Sequence, residues 1–277
     1  MANGVMDRVG VCSWSLEPVG PDDLKVKLDA VGLQKVQLDL MPLLDEGGAW
    51  ADAGKRLGDL GVEVVGGMMR AVGEDYSTPA RIRETGGVVP DGTWPDTWAN
   101  VKRMSEVVKE MGMGYVTFHA GFVPHDEGDP VFKKVVDRLR DVADLLGDCG
   151  AVVGLETGQE TGETLAAFLG VLGRENVKVN FDPANMILYD MGEPNEALRL
   201  LVGKVDQLHL KDARKTEVAG EWGKELAVGD GEVDWGVFFR VLEEAGFAGE
   251  MLIEREAGDD RVGDIRRGKE FVAGLVG

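Results

Sequence analysis

Four residues, Glu156, Asp182, His209 and Glu254, each stand at the end of a short, largely apolar run. If those runs are buried strands closed into one barrel, the four side chains meet at one rim. Three carboxylates meeting without a cation would repel and take up protons, and a divalent ion resolves that conflict. Three oxygen donors and one imidazole suit Mn²⁺ first, with Mg²⁺, Co²⁺ or Zn²⁺ also matching the donor types, and do not resemble a closed structural zinc site. His209 is one of only 3 histidines in 277 residues. It lies in VDQLHLKD, Val205 to Asp212, where a buried run ends in polar groups and opens into a long Gly-containing loop.

The elements that must position these groups follow a regular alternation. Strands are predicted at Val9–Ser13, Lys35–Leu40, Val62–Met68, Tyr115–Phe118, Val152–Leu155, Val177–Phe181, within the VDQLHLKD stretch, and at Glu250–Ile253. Between them lie helical stretches: one beginning at Pro21-Asp22-Asp23, then Ala51–Leu60, Trp94–Met111 and Asp129–Leu146. Glu163–Leu172, Glu193–Leu201, a helix ending at Leu242, and Asp260–Leu275 complete the set. In Trp94–Met111 the apolar face is Trp98, Val101, Met104, Val108 and Met111, spaced for a helix. Gly61, Gly112, Gly150 and Gly246 punctuate helix ends before strands. Eight strand–helix units predict an α/β fold, a (β/α)₈ TIM barrel, with 1–277 as a single domain. No G-x-G-x-x-G follows the first strand, which argues against a dinucleotide-binding fold. Two long loops, Arg70–Thr93 and Ala213–Glu232, are predicted to cover the rim.

Composition narrows the function classes. The net charge of −20, from 50 acidic and 30 basic residues, opposes a nucleic-acid partner. The sequence has no run of about 18 apolar residues and no charged-then-apolar leader at Met1–Gly10, so membrane and secretory readings are disfavoured. The 2 cysteines, Cys12 and Cys149, lack C-x-x-C spacing and fit a reducing, cytoplasmic setting. A homo-oligomer is compatible with this composition.

The motifs LETGQE (155–160), FDPANM (181–186), HLKD (209–212), GDGEVDW (229–235) and IERE (253–256) together make the chain similar to the xylose-isomerase-like sugar isomerases and epimerases, including ketose 3-epimerases and inosose dehydratases. The resemblance implies that Glu156, Asp182, His209 and Glu254 hold a metal, and that Glu156 and Glu254 form the acid/base pair. It also implies a small-molecule carbohydrate substrate. Many ketose epimerases of that family carry a substrate-binding His three residues after the Asp, where this chain has Asn185; an amide hydrogen-bonds a hydroxyl but does not shuttle a proton in the same way. Their Arg beyond the strand-seven His corresponds to Arg214.

Other residues have two readings each. Trp14 stacks on a sugar face or packs at the rim. His119 binds substrate or is a hydrogen-bonded rim histidine. Lys211 polarises a substrate oxygen or pairs with Asp212 or Glu254. Trp14, His119, Asn185, Lys211, Asp212 and Arg214 form the expected substrate-binding set. Gln159 and Glu160 reach a substrate hydroxyl or, with Thr161, cap the next helix. His125, the Asp7-Arg8 pair, and Arg261, Arg266 and Arg267 are expected on solvated surface.

The leading functional expectation is a divalent-metal-dependent isomerase or epimerase of a sugar or keto-sugar, acting through an enediolate. The alternative on the same site is a dehydratase or lyase acting on a keto-inositol or 3-keto-glycoside. A non-catalytic sugar-binding barrel and an endonuclease IV-like repair enzyme are weaker readings. The latter needs several more histidines than the chain contains.

Overall fold

Why eight short runs close on themselves is visible in their burial. The computed structural model describes residues 2–45 and 47–276; Met1, Glu46 and Gly277, which belong to the predicted 1–277 span, lie outside the described residues. After a short helix α1 (Ala2–Met6), the chain forms β1 (Val9–Cys12), α2 (Ser13–Leu16), α3 (Pro21–Val31), β2 (Lys35–Asp39), α4 (Ala53–Asp59) and β3 (Glu63–Met68). Then follow α5 (Pro79–Thr85), α6 (Trp94–Met111), β4 (Tyr115–Phe118), α7 (Pro130–Asp148), β5 (Val152–Glu156), α8 (Gly162–Leu172) and β6 (Val177–Phe181). The remainder is α9 (Pro183–Tyr189), α10 (Pro194–Leu201), β7 (Val205–Leu210), β8 (Asp212–Arg214), β9 (Lys224–Leu226), α11 (Trp235–Ala245), β10 (Glu250–Ile253) and α12 (Arg261–Val276).

Strands β1, β10, β7, β6, β5, β4, β3 and β2 hydrogen-bond in that order around a closed barrel, and every pairing is parallel. β1 and β4 are buried at every residue, which is why they read as continuous apolar runs and not as alternating ones. The helices seal the outside: Leu139, Val142 and Leu146 of α7 and Leu198 and Leu201 of α10 are buried against it. All eight predicted barrel strands form, and the expected (β/α)₈ TIM barrel is the fold.

The differences lie at edges. The first strand stops at Cys12, and Ser13 begins the short helix α2. Its hydroxyls replace strand pairing: Ser13 Oγ accepts from the Asp39 N–H at 2.8 Å and Ser15 Oγ from the Arg255 N–H at 2.9 Å. Both predicted cover loops contain regular structure, α5 in one and the antiparallel β8–β9 hairpin in the other. Their tips meet where the Trp222 indole N–H donates to the Tyr76 carbonyl at 2.9 Å. Gly87, at φ 64°, lets the first loop press on the end of β4, because a Cβ there would overlap the Ala120 carbonyl.

Of the arginines expected on solvated surface, Arg266 and Arg267 are exposed, while Arg8 and Arg261 are partly buried and tie elements together. Arg8 donates to the carbonyls of Phe247 and Gly249 at 3.0 and 3.1 Å and lies over the Phe247 ring, closing β1 against β10. Arg261 reaches the carbonyl of Trp14, and Arg266 that of Ala30, so α12 is stitched to α2 and α3. Arg267 pairs with Asp264 within α12. Among the described residues, no helix is long and apolar enough to cross a membrane.

Candidate metal centre

The barrel brings the four strand-end residues together. Glu156 closes β5, Asp182 follows β6, His209 is the fifth residue of β7, and Glu254 follows β10. Parallel register places His209 beside Leu252, and the Glu254 N–H continues the ladder to the Leu210 carbonyl at 3.0 Å. Thr157, buried, locks Asp182 in place: its Oγ1 accepts from the Asp182 N–H at 2.7 Å and donates to the Asp182 carbonyl at 2.9 Å. One ligand atom from each of Glu156, Asp182, His209 and Glu254 lies within 4.8 Å of every other.

His209 Nδ1 lies 3.0 Å from Glu156 Oε1, 3.0 Å from Glu254 Oε2 and 3.8 Å from Asp182 Oδ2. Its other nitrogen, Nε2, is 2.7 Å from Gln37 Oε1, and Gln37 Nε2 in turn donates to Gln207 Oε1 at 2.6 Å. With Gln37 accepting, Nε2 carries a proton, so Nδ1 is the nitrogen that faces the carboxylates and, once it gives up its own proton, offers its lone pair to a metal. That tautomer is the one a metal needs.

The three carboxylates fit the group the cluster implies. Glu156 Oε2, Asp182 Oδ2 and Glu254 Oε2 are buried and have no hydrogen-bond partner. Buried oxygens short of hydrogen bonds are costly, and here they gather around the His209 imidazole. Glu156, Asp182, His209 and Glu254 would therefore hold a divalent cation. Cys12 also lies beside His209 and Glu254, but burial pushes its thiol up to about 12, so at neutral pH it is a weak ligand.

The surrounding charges sort the acids. Burial opposes the charge on Glu254, yet Lys211 and His209 outweigh it and hold the carboxyl well below the usual range. Burial likewise opposes the charge on Glu156, and His119 and His209 keep it lowered. Asp182 goes the other way: burial, with the charges of Glu254 and Glu156 behind it, pushes it up to about 7. Burial works against a charged Lys211, but Glu254 and Glu256 raise its pKa well above the ordinary value.

A cavity of about 390 Å³ opens above the cluster, and Glu156 and Glu254 line it. Of the expected substrate-binding residues, Trp14, His119, Asn185 and Lys211 also line it. Trp14, carried by α2, donates its indole N–H to Glu254 Oε1 at 2.7 Å. Asn185 Nδ2 donates to Glu156 Oε1 at 3.1 Å, and His119 Nε2 stands 3.5 Å from Glu156 Oε2. Lys211 Nζ lies 2.7 Å from Glu256 Oε2 and 3.2 Å from Glu254 Oε2.

Two of the expected substrate-binding residues, Asp212 and Arg214, do not line the cavity. Asp212 is fully buried, and its carboxylate accepts from the N–H groups of Ala213, Gly229, Gly231 and Val233 and from the Trp235 indole. With five donors it has no lone pair left for a ligand; it folds the GDGEVDW loop around itself. Lys211 accordingly pairs with Glu254 and Glu256, not Asp212. Arg214 is not among the cavity's lining residues; its guanidinium is largely exposed, 4.0 Å from Glu232. Of the two readings of Glu160, the structure takes neither outright. It accepts from the Val123 N–H at 2.8 Å and pairs with His125 at 3.0 Å, while Thr161 caps α8. His125 is exposed but not unpaired.

Asp39, Arg70, Tyr76, Tyr189, Trp222, Glu225 and Glu256 also line the cavity, and nothing in the sequence pattern marks them for a site role. Gln37 is the other missed residue. Its signal was a polar side chain inside an apolar strand, where a buried amide needs a partner.

Comparison with known proteins places this geometry. Residues 28–275 match the family model described as xylose isomerase-like TIM barrel. The crystal structure of a xylose isomerase domain protein from Planctomyces limnophilus is 29% identical, superposes with a TM-score of 0.86, and aligns over 97% of this chain and 96% of that one. An L-ribulose 3-epimerase structure shares the fold at 15% identity and a TM-score of 0.73, over 97% of this chain and 94% of that one. An inosose dehydratase of Yersinia enterocolitica is 26% identical over 147 residues, 46% of this chain and 49% of the relative, so the match spans about half of that curated relative's length.

Proposed function

The chain belongs to the xylose isomerase-like TIM-barrel family, and from that premise we propose that it is a divalent-metal-dependent isomerase or epimerase of a keto-sugar. The observation that carries this reading is the convergence of three buried, donor-poor carboxylate oxygens on His209 Nδ1 at the floor of a cavity.

The chemistry asks for removal of a proton next to a carbonyl and its return elsewhere. A bound divalent cation supplies a Lewis acid for the oxygens that gain negative charge. Glu156 and Glu254 are both held ionised by their neighbours, so both can accept a proton at neutral pH. They reach the cavity from β5 and from the end of β10, which stand three places apart in the barrel ring. One carboxylate takes the proton to give an enediolate; the other delivers a proton to carbon after itself taking one from a substrate hydroxyl or from water, and the first then releases its proton to solvent. Trp14 and Asn185 each donate to one oxygen of these glutamates, fixing their orientation. Lys211, buried beside Glu254, is placed to donate to a substrate oxygen. The loop pair joined by Trp222 and Tyr76 covers the site and keeps water from the enediolate.

A dehydratase acting on a keto-inositol or 3-keto-glycoside is the second reading. The inosose dehydratase relatives favour it, as does Asn185 in place of a proton-shuttling His. Here the same first proton is removed, the adjacent C–O bond breaks, and the hydroxyl leaves as water after protonation by the acid.

The test is incubation of the Mn²⁺-loaded protein in deuterium oxide with a panel of keto-sugars, keto-inositols and 3-keto-glycosides. Deuterium at carbon with no loss of water supports the isomerase or epimerase. An unsaturated product supports the dehydratase, and no exchange with any member counts against both.

A further inference from the structure

We infer that the cavity selects an uncharged, polyhydroxylated keto-compound and rejects phosphorylated or carboxylated ones. This names the substrate class and rests on the keto-sugar reading above.

The charge balance of the wall carries the inference. Asp39, Glu225 and Glu256 line the cavity beside Glu156 and Glu254, which with Asp182 outweigh a bound divalent cation by one negative charge; its Lys and Arg residues are Arg70 and Lys211. Both cations are already matched. Arg70 Nη2 is 3.0 Å from Asp39 Oδ2. Lys211 is 3% exposed and has Glu256 at 2.7 Å, Glu254 at 3.2 Å and Glu225 at 3.9 Å.

The next cation outward is matched as well. Arg255 places Nη1 2.7 Å from Glu225 Oε1 and Nε 2.8 Å from Asp264 Oδ2. Glu225 Oε1 also accepts from the backbone N–H groups of Glu256 and Ala257, at 2.8 and 3.1 Å, which pins the β8–β9 hairpin over the end of β10. Anion recognition uses unmatched Arg or Lys or free backbone N–H groups. The helix start nearest the cluster, that of α9, is capped by Asp182 itself. An incoming phosphate would have to displace Glu256 from Lys211 and then sit beside the buried Glu254 carboxylate.

The rest of the wall points the same way. Trp14, Tyr76, Tyr189, Trp222, Met68 and Leu188 supply aromatic and apolar surface. Tyr189 and Trp222 meet edge to face at 4.8 Å. Such rings hold the C–H faces of a sugar ring without adding charge.

The experiment measures binding to the Mn²⁺-loaded full chain by calorimetry, with D-fructose, a keto-inositol and D-fructose 6-phosphate as probes. At least one uncharged probe should bind about tenfold or more tightly than the phosphate, because burying like charges together is strongly disfavoured. In the Asp39→Asn/Glu256→Gln double variant, Arg70 and Lys211 each lose a carboxylate partner, and that preference should shrink by about tenfold. Fructose 6-phosphate binding as tightly as the uncharged probes, an unchanged preference in the folded double variant, or no binding of either uncharged probe would each overturn the inference. The wild-type ratio stands as a test whether or not the variant folds. Deuterium exchange on a bound probe is read separately. Uncharged probes that bind without exchange sink the proposed function and leave the charge selection standing; a phosphate that binds best and exchanges does the reverse.

Discussion

The two ends of this barrel treat charge in opposite ways. Near the start of β1, a groove of about 940 Å³ runs between α11 and the ends of α1 and α12, larger than the roughly 390 Å³ cavity at the other end. Its walls are mainly apolar, with Val5, Trp235, Phe239, Phe247 and Met251, and the Arg8 guanidinium is engaged by backbone carbonyls. At the strand C-termini, buried carboxylate oxygens short of hydrogen bonds gather around the His209 imidazole. Size therefore does not identify the site. The gathering of three buried carboxylates around one imidazole does, because a fold retains such a cluster at a cost only where something else completes it.

The largest expected effect breaks the active end alone. Glu156→Gln or Glu254→Gln, assayed at saturating Mn²⁺ with occupancy measured, should lower turnover by about a hundredfold or more, the low end for losing a general acid or base. Near-normal turnover in both metal-loaded variants would remove the two-glutamate mechanism. Asp182→Asn and His209→Ala should weaken metal binding and activity together, with titration by Mn²⁺ as the check.

One step back from the ligands, Gln37→Leu removes the acceptor that fixes the His209 tautomer, although no atom of Gln37 need touch the metal. Mn²⁺ affinity should fall by about ten- to a hundredfold, the usual range for partners behind a ligand. If affinity holds, His209 does not depend on Gln37 for its orientation.

Proton linkage should follow the same asymmetry. In the metal-free chain burial opposes a charged His209, but the surrounding acidic groups raise its pKa well above normal, and Asp182 is pushed up to about 7. A cation must displace those protons, so affinity rises with pH and falls as pH drops. Below pH 7 binding should release about two protons, and above it about one, each proton corresponding to roughly tenfold in affinity per pH unit. Calorimetry in buffers of different ionisation enthalpy measures the release; a pH-independent affinity between 6 and 8 would contradict it.

The smallest effect on the metal belongs to the far end. Arg8→Ala should cost about 1–3 kcal/mol of stability through its lost bonds to the Phe247 and Gly249 carbonyls, with Mn²⁺ affinity within about twofold of wild type. A large loss of affinity without unfolding would mean that the two ends are coupled.

The sequence by itself determined the barrel and the four convergent residues. A parallel barrel strand is buried on both faces, so it appears as a short apolar run, and Glu156, Asp182 and Glu254 are polar where such runs stop while His209 interrupts one. Those signals are local. Other roles rest on partners far away in the chain, and only the tertiary structure decided them. Lys211 and Asp212 are adjacent and equally polar, yet Lys211 turns into the cavity and Asp212 turns out to gather the Gly229–Val233 backbone. Gln37 meets His209 across 172 residues, and Trp222 meets Tyr76 across 146. A side chain's role in a loop is set by which donor or acceptor reaches it once the barrel has closed, and residue type together with spacing carries no record of that approach.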